Sequence, residues 1–73
     1  MRNDPIPPSA LVVRSFGGVR QTARLLSCDP STVSRWGKTG RIPSEWQKPV
    51  LVLAWEMNID LTAHDLIFGR AAT

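Results

Sequence analysis

Four polar residues of the chain recur at the spacing of one helical face. They occupy positions i, i+3, i+4 and i+7 and are Ser31, Ser34, Arg35 and Lys38. On an α-helix such positions form one continuous stripe. Hydroxyl groups and a guanidinium on that stripe donate hydrogen bonds to acceptor atoms, and the two cations favour an anionic ligand. The stripe is therefore the first candidate for a binding surface.

The chain lacks the residue sets that most enzymes and metal sites use. It has one cysteine, Cys28, and one histidine, His64, without C-x-x-C or H-x-x-x-H spacing. The glycine-rich segment GKTGRIP at 37–43 departs from the phosphate-binding pattern G-x-x-x-x-G-K-[ST], and no short elbow motif surrounds a serine. We therefore expect no catalytic residue, metal or cofactor, and no enzyme. Cys28 is expected to be a small buried hydrophobe and His64 a surface or capping residue.

Length and composition indicate one small folded domain. A chain of 73 residues buries only roughly 60% of its unfolded surface, so a surface rather than a deep cleft should carry the function. Hydrophobic residues at 42%, with three tryptophans, favour a folded chain over a disordered one. No apolar run reaches about 18 residues and no cleavable leader pattern is present. Together with the single cysteine, this predicts a cytoplasmic protein without a membrane span.

Charge is distributed unevenly along the chain. Residues 14–48 carry seven basic and two acidic residues, a net charge of +5, whereas residues 49–73 have a net charge of −2. The positive half contains the polar stripe. A solvated surface is the ordinary explanation of such an imbalance, but its coincidence with the stripe favours a nucleic-acid partner.

Two short helices joined by a tight turn are predicted to position the stripe. The apolar residues of the first helix recur at helical spacing: Val19, Ala23 and Leu26. The turn begins at Ser27, and Asp29 is predicted to cap a second helix over about 30–37, with Pro30 at its first position. The apolar residues of that helix point away from the stripe: Val33 and Trp36.

The stretch at 19–38 resembles the helix-turn-helix of the Cro and lambda-repressor family of phage and bacterial regulators. Three residues occupy the family's positions for a small residue, a buried aliphatic residue and a bulky apolar residue: Ala23, Val33 and Trp36. The segment STVSRW is similar to the family's recognition helices. Ser27 departs from the pattern, because the family usually has glycine at this turn position. Either Ser27 is mildly strained or the turn differs slightly.

The resemblance implies an all-α fold of four to five short helices and a repressor-like homodimer that binds pseudo-palindromic double-stranded DNA through the major groove. Residues implied to face base edges are Pro30, Ser31, Ser34 and Arg35. Arg35 is the main candidate, because a guanidinium spans the O6 and N7 acceptors of guanine. For the serines, helix capping and solvation remain the alternative. Residues expected along the DNA backbone are Arg14, Arg20, Gln21, Arg24, Thr32, Lys38, Thr39, Arg41 and Lys48.

The remaining segments are expected to complete the domain. Residues 1–8 are predicted to be a flexible arm, and residues 9–73 the helix-turn-helix domain. Ser9 is predicted to cap a first helix that ends at about Phe16. Gly37 and Gly40 are expected to frame a basic loop, after which Ile42 returns to the core.

Two capping boxes predict two further helices. They pair Ser44 with Gln47 and Thr62 with Asp65. The first helix should run to about Met57, with Asn58 as its C-terminal residue, although Pro49 would bend its entry or delay its start to Lys48. The second should end at about Phe68.

The helix at 44–57 is apolar almost all round, which predicts that more than one of its faces is buried. The residues expected in the core are Val50, Leu51, Ala54 and Met57. The apolar residues of this helix that do not face the core need a second partner, which is either the last segment of the chain or a second copy. The predicted dimer interface consists of Val52, Trp55, Leu61 and Leu66. The alternative function is an antitoxin-like or adaptor module that binds a protein partner through 50–57.

Overall fold

The computed structural model describes residues 6–70, which form five α-helices. Their bounds are α1 Pro8–Phe16, α2 Val19–Leu26, α3 Pro30–Thr39, α4 Ser44–Glu56 and α5 Ala63–Phe68. Within the described range β-pairing is limited to one isolated antiparallel bridge between Ile6 and Arg70. The predicted class, an all-α bundle of four to five short helices, is confirmed.

All five helices contribute to one core or pack directly on it. The core consists of Leu11, Val12, Phe16, Ala23, Val33, Trp36, Ile42, Val50, Ala54, Leu61 and Leu66. α2 packs mainly on α3, and α5 packs on α1 and α4. Ala23, at 1% exposure, is the small buried residue of α2 and leaves room for a neighbouring helix. Ile42 returns to the core as predicted.

No helix among residues 6–70 has the length and apolar character that a membrane crossing requires.

The turn between α2 and α3 ends α2 with a left-handed residue. Ser27 has φ 58° and ψ 43°, and the backbone N–H of Cys28 donates to the carbonyl of Ala23 at 2.9 Å. This is the Schellman arrangement that glycine usually provides. Of the two alternatives for Ser27, the structure therefore supports the strained residue in an ordinary turn. α1 and α4 also end next to left-handed residues, Gly17 and Asn58.

The beginning of α1 differs from the prediction. The helix starts at Pro8 after Pro7, which offers no side-chain cap, and Ser9 lies within the helix at 4% exposure. The predicted Ser9 cap is therefore wrong, because proline at the first position already fixes the helical start.

The flexible arm predicted for residues 1–8 is wrong for the three residues that the structure describes. The N–H of Ile6 donates to the carbonyl of Arg70 at 2.7 Å, and the N–H of Arg70 donates back at 3.1 Å. Ile6 packs on the core and Pro8 is buried. Residues 1–5 lie outside the described range, and the prediction for them stays a prediction.

The two predicted capping boxes had different outcomes. At α5 the box is confirmed: the N–H of Asp65 donates to the Thr62 hydroxyl at 3.2 Å, and the Asp65 carboxylate accepts from the N–H of Thr62 at 3.0 Å. At α4 it is wrong, because Pro43 is the residue before the helix and Ser44 is already helical. The Gln47 amide instead donates to the carbonyl of Ile42 at 3.2 Å.

Two further boundaries differ from expectation. α3 continues to Thr39, so Gly37 lies inside the helix rather than in a loop, and Gly40 ends it at φ 74°. α4 ends at Glu56, and Met57 is 41% exposed instead of buried. Met57 is the residue that follows the last helical one, with φ −93° and ψ 4°. Pro49 is accommodated inside α4 without delaying its start.

Candidate nucleic-acid interface

The start of α3 is fixed by the Asp29 side chain. Its carboxylate accepts a hydrogen bond from the backbone N–H of Ser31 at 2.9 Å, and Pro30 occupies the first helical position. The cap and the proline together confirm the predicted start. The hydrogen bonds from Ser31 lower the pKa of Asp29, and the nearby positive charge of Arg35 adds a smaller contribution. Asp29 is therefore a carboxylate that orients the first turn of α3.

The two faces of α3 are clearly separated. Val33 and Trp36 are 1% and 2% exposed, and the Trp36 ring packs against Trp46 of α4. The opposite side carries the predicted base-facing residues, all of them exposed: Pro30, Ser31, Ser34 and Arg35. Lys38 extends the same exposed stripe by one turn. The buried face holds the helix in place, so the stripe is presented on a rigid element.

The cations of the stripe have no carboxylate partner within 4 Å among the described residues 6–70. Across residues 6–70 the single ion pair joins Arg70 to Asp65, far along the chain from α3. A guanidinium that is exposed and unpaired keeps all five donors available for a ligand. The predicted role of Arg35 therefore does not require breaking an ion pair of the protein.

Three residues predicted at the DNA backbone, together with Arg35 of the base-facing set, lie around one depression between α3 and the start of α4. They are Thr32, Arg35, Thr39 and Arg41, with Glu45, Trp46 and Pro43 on the other side. Thr39 and Arg41 were predicted to lie in a loop after α3, and no pattern in the sequence indicated that Glu45 lies near them. The Thr39 hydroxyl accepts from the backbone N–H of Arg41 at 3.2 Å, so Thr39 also shapes the end of α3.

The other predicted backbone residues lie elsewhere on the surface. Exposed side chains are found at Arg14 of α1, at Arg20, Gln21 and Arg24 of α2, and at Lys48 of α4. Lys48 lines a separate groove formed by α2 and α4 rather than the depression beside Arg35. These exposed cations are thus distributed over three helices besides α3.

Half of the predicted dimer interface is wrong. Leu61 and Leu66 are 3% and 2% exposed, because they close the core beneath α5. Val52 and Trp55 do lie on the surface, at 37% and 63% exposure. Apolar periodicity alone could not distinguish the residues that face this chain's own core from those that face outward.

Two exposed apolar residues lie at the end of α5. Ile67 is 54% exposed and Phe68 is 67% exposed. The Phe68 ring packs against His64, with centroids 4.8 Å apart. His64 is a surface residue, as predicted.

Cys28 is half-buried rather than fully buried, because it lies in the turn after Ser27 and not on a helix. Partial burial raises the pKa of its thiol, and the neighbouring Asp29 carboxylate raises it further. Within residues 6–70 no cluster of three or more His, Cys, Asp or Glu side chains is arranged to hold a metal ion.

Comparisons with protein-family models, curated proteins and solved structures found no significant match to this chain.

Proposed function

We propose that the protein is a sequence-specific double-stranded DNA-binding regulator, a Cro-like repressor that acts as a homodimer on a pseudo-palindromic site. The observation that supports this most is the division of α3. Val33 and Trp36 anchor the helix, while Ser31, Ser34 and Arg35 project from it, and Arg35 forms no ion pair with any residue in the described range. An α-helix has a diameter of about 10–12 Å with its side chains, which matches the roughly 12 Å width of the major groove.

Base readout is assigned to the exposed stripe. The Arg35 guanidinium donates two parallel hydrogen bonds to the O6 and N7 of a guanine, which discriminates against other bases by about 1–3 kcal/mol. Ser31 and Ser34 provide single hydroxyl contacts. Pro30, exposed at the first helical position, offers only an apolar contact, such as one with a thymine methyl group.

Affinity is assigned to the surrounding cations. Each Lys or Arg that neutralises a phosphate releases condensed counterions, so the logarithm of the binding constant falls by about 0.9 per contact for each tenfold rise in salt. The cations concerned are Arg14, Arg20, Arg24, Lys38, Arg41 and Lys48, with Gln21, Thr32 and Thr39 as neutral donors. These contacts set register and strength but carry no sequence information.

A two-fold dimer would present two copies of α3 to successive turns of one face of the duplex. The half-sites are then expected roughly 34 Å apart, which is one helical turn.

A second candidate function is a protein-interaction module of the antitoxin or adaptor kind. The observation that favours it is the exposed apolar surface of α4, in particular Val52 and Trp55. The two functions are compatible if one protein both binds a partner and represses a promoter.

The test is selection of binding sites from a random duplex pool, followed by affinity measurements at several salt concentrations. For the intact chain we expect an enriched motif and a steep fall of affinity with salt. Arg35→Ala should relax the preference at one base position by about 5- to 150-fold. The matched control Arg41→Ala should weaken binding to all duplexes alike and reduce the salt slope by about 1.

Two results would contradict the proposal. Selectivity that persists in Arg35→Ala would remove Arg35 from base readout. A chain that enriches no duplex and forms a stable one-to-one complex with another protein would support the second candidate instead.

A further inference from the structure

The exposed side of α4 carries an apolar centre between two opposite charges. Val52 is 37% exposed, and the exposed Lys48 and Glu56 stand four residues before and four residues after it. Residues at i, i+4 and i+8 lie along one side of a helix. Trp55, at 63% exposure, stands beside Val52 on the same side.

This side of α4 borders an open apolar groove of about 420 Å³. Its walls are formed by Leu25 and Leu26 of α2 and by Lys48, Pro49, Val52, Leu53 and Glu56 of α4. Single exposed apolar residues are common on protein surfaces, but a groove with an exposed tryptophan beside it has the composition of an interface.

We infer that this surface, the α4 face formed by Lys48, Pro49, Val52, Trp55 and Glu56, is covered by the same face of a second copy. The two α4 helices run antiparallel and cross at Val52. An antiparallel two-fold contact centred on that residue places Lys48 of one copy opposite Glu56 of the other, and does so twice. It also places Trp55 opposite Pro49, which lines the groove of the second copy.

The positions of Lys48 and Glu56 favour a second copy of the chain as the partner, and they favour the antiparallel direction of the two α4 helices. A parallel arrangement would bring Lys48 against Lys48 and Glu56 against Glu56, which is repulsive. An antiparallel copy satisfies both charges with the residues that the chain already has, and Lys48 then pairs with Glu56 of the second copy rather than with a DNA phosphate. The geometry requires a shallow crossing angle, as in antiparallel helix pairs of small bundles, because the two charges lie about 6 Å along the helix on either side of Val52.

The other exposed apolar pair does not offer this complementarity. Ile67 and Phe68 lie at the end of α5, where the nearby Asp65 and Arg70 already pair with each other. Asp65 and Arg70 are therefore engaged with each other, whereas Lys48 and Glu56 of α4 form no ion pair among residues 6–70, so α4 is the better-defined contact.

The inference deepens the homodimer of the proposed function and rests on it for its biological meaning, but its test needs no DNA. A failure of the α4 contact is therefore distinguishable from a failure of DNA binding. The two results are obtained on the same purified chain in separate measurements.

The experiment is sedimentation equilibrium of the full chain at concentrations up to about 1 mM, with charge-reversed variants. Lys48→Glu and Glu56→Lys each place like charges opposite each other twice, so each should raise the dimer dissociation constant at least about tenfold. An equimolar mixture of the two variants restores both opposite-charge pairs, and we expect it to dimerise with nearly the affinity of the unaltered chain.

The design keeps folding and charge effects apart. Glu56→Lys adds a positive charge at the last residue of α4, which suits the helix dipole, and Lys48→Glu exchanges one good helix former for another at an exposed position. Helical content by circular dichroism should therefore be unchanged. Lys38→Glu and Asp60→Lys make the same charge changes away from the α4 face and should leave dimerisation unchanged.

The inference is overturned if the unaltered chain stays monomeric over the whole concentration range. It is also overturned if the mixed variants fail to associate more tightly than either variant alone, or if the two control variants dissociate the dimer equally. A dimer that neither α4 variant affects would use another surface.

Discussion

The indole rings of Trp36 and Trp46 lie with their centroids 6.0 Å apart and their planes tilted by 52°. Tilted aromatic pairs at this distance are favourable beyond the area that they bury. Trp36 is the most deeply buried large side chain of α3, and Trp46 lies in the first turn of α4. The contact therefore holds α3 against the helix that follows it and keeps its polar stripe facing outward.

Removing Trp36 should unfold a large fraction of the protein. We expect Trp36→Ala to lower the free energy of unfolding by about 3–5 kcal/mol, because a buried indole leaves a cavity. Urea unfolding monitored by circular dichroism measures this change. Phe68→Ala is the matched control, since Phe68 is 67% exposed and should change stability by less than about 0.5 kcal/mol. Equal losses in the two variants would contradict the assigned role of Trp36.

Ser27 should be replaceable by glycine with a gain in stability. At φ 58° its backbone is left-handed, a conformation that costs a residue with a Cβ atom about 1 kcal/mol relative to glycine. Ser27→Gly is expected to raise the free energy of unfolding by roughly that amount in denaturant titrations. Asn58→Gly, at φ 57°, is the control and should gain less, because asparagine tolerates this region. No gain at Ser27 would mean that its side chain compensates for the strain.

Gly69 is expected to resist substitution more strongly than Gly18. A Cβ atom at Gly69 would lie 2.0 Å from the carbonyl oxygen of Ile6, whereas one at Gly18 would meet nothing within 4 Å. Both residues have extended backbone with positive φ, which only glycine adopts freely. Gly69→Ala should therefore lower the free energy of unfolding by roughly 2 kcal/mol more than Gly18→Ala. Faster amide exchange at Ile6 and Arg70 in the first variant alone would locate the damage.

The pair of Asp65 and Arg70 should contribute to stability at neutral pH and lose its effect in acid. The Arg70 guanidinium is the main cause of the lowered pKa of Asp65, and the hydrogen bonds from Thr62 add to it against the opposing effect of burial. The unfolded chain binds the proton at a pKa of about 3.9. Because the folded pKa is lower, the stabilisation is complete above that value and disappears as the pH falls through the folded pKa.

The substitution Asp65→Asn tests this dependence. It should destabilise the protein at pH 7, and the difference from the unaltered chain should shrink as the pH falls below about 3.9. Thermal unfolding followed across that range measures it. Asp60→Asn is the control, since Arg70 binds the backbone carbonyl of Asp60 rather than its carboxylate. If the stability difference between Asp65→Asn and the unaltered chain stays constant with pH, the negative charge of Asp65 does not contribute to stability.

Local chemistry explains which helix boundaries the sequence predicted. Asp29 followed by Pro30 combines a side-chain cap with a preset φ angle, and both act within three residues. Thr62 and Asp65 form a reciprocal pair with the same locality. Ser44 and Gln47 have the same spacing, but Pro43 before them takes the cap position. A spacing pattern does not say which residue is the last non-helical one.

Long-range packing explains what the sequence left open. Leu61 and Leu66 have the apolar character of interface residues, and only the docking of α5 on α1 and α4 shows that they are buried within one chain. The pairing of Ile6 with Arg70 joins residues from opposite ends of the described range. No short motif in the sequence around either residue predicts it. In the candidate site, the exposed stripe on α3 followed from helical periodicity, whereas the position of Glu45 beside it did not.

The bridge between Ile6 and Arg70 makes the chain enter and leave the domain at one point. A circularly permuted chain, with a short linker across this point and new termini in an exposed turn, would therefore preserve the helix contacts. The same geometry lets the domain be inserted into a surface loop of an unrelated host, because its two connections require almost no separation in the host backbone.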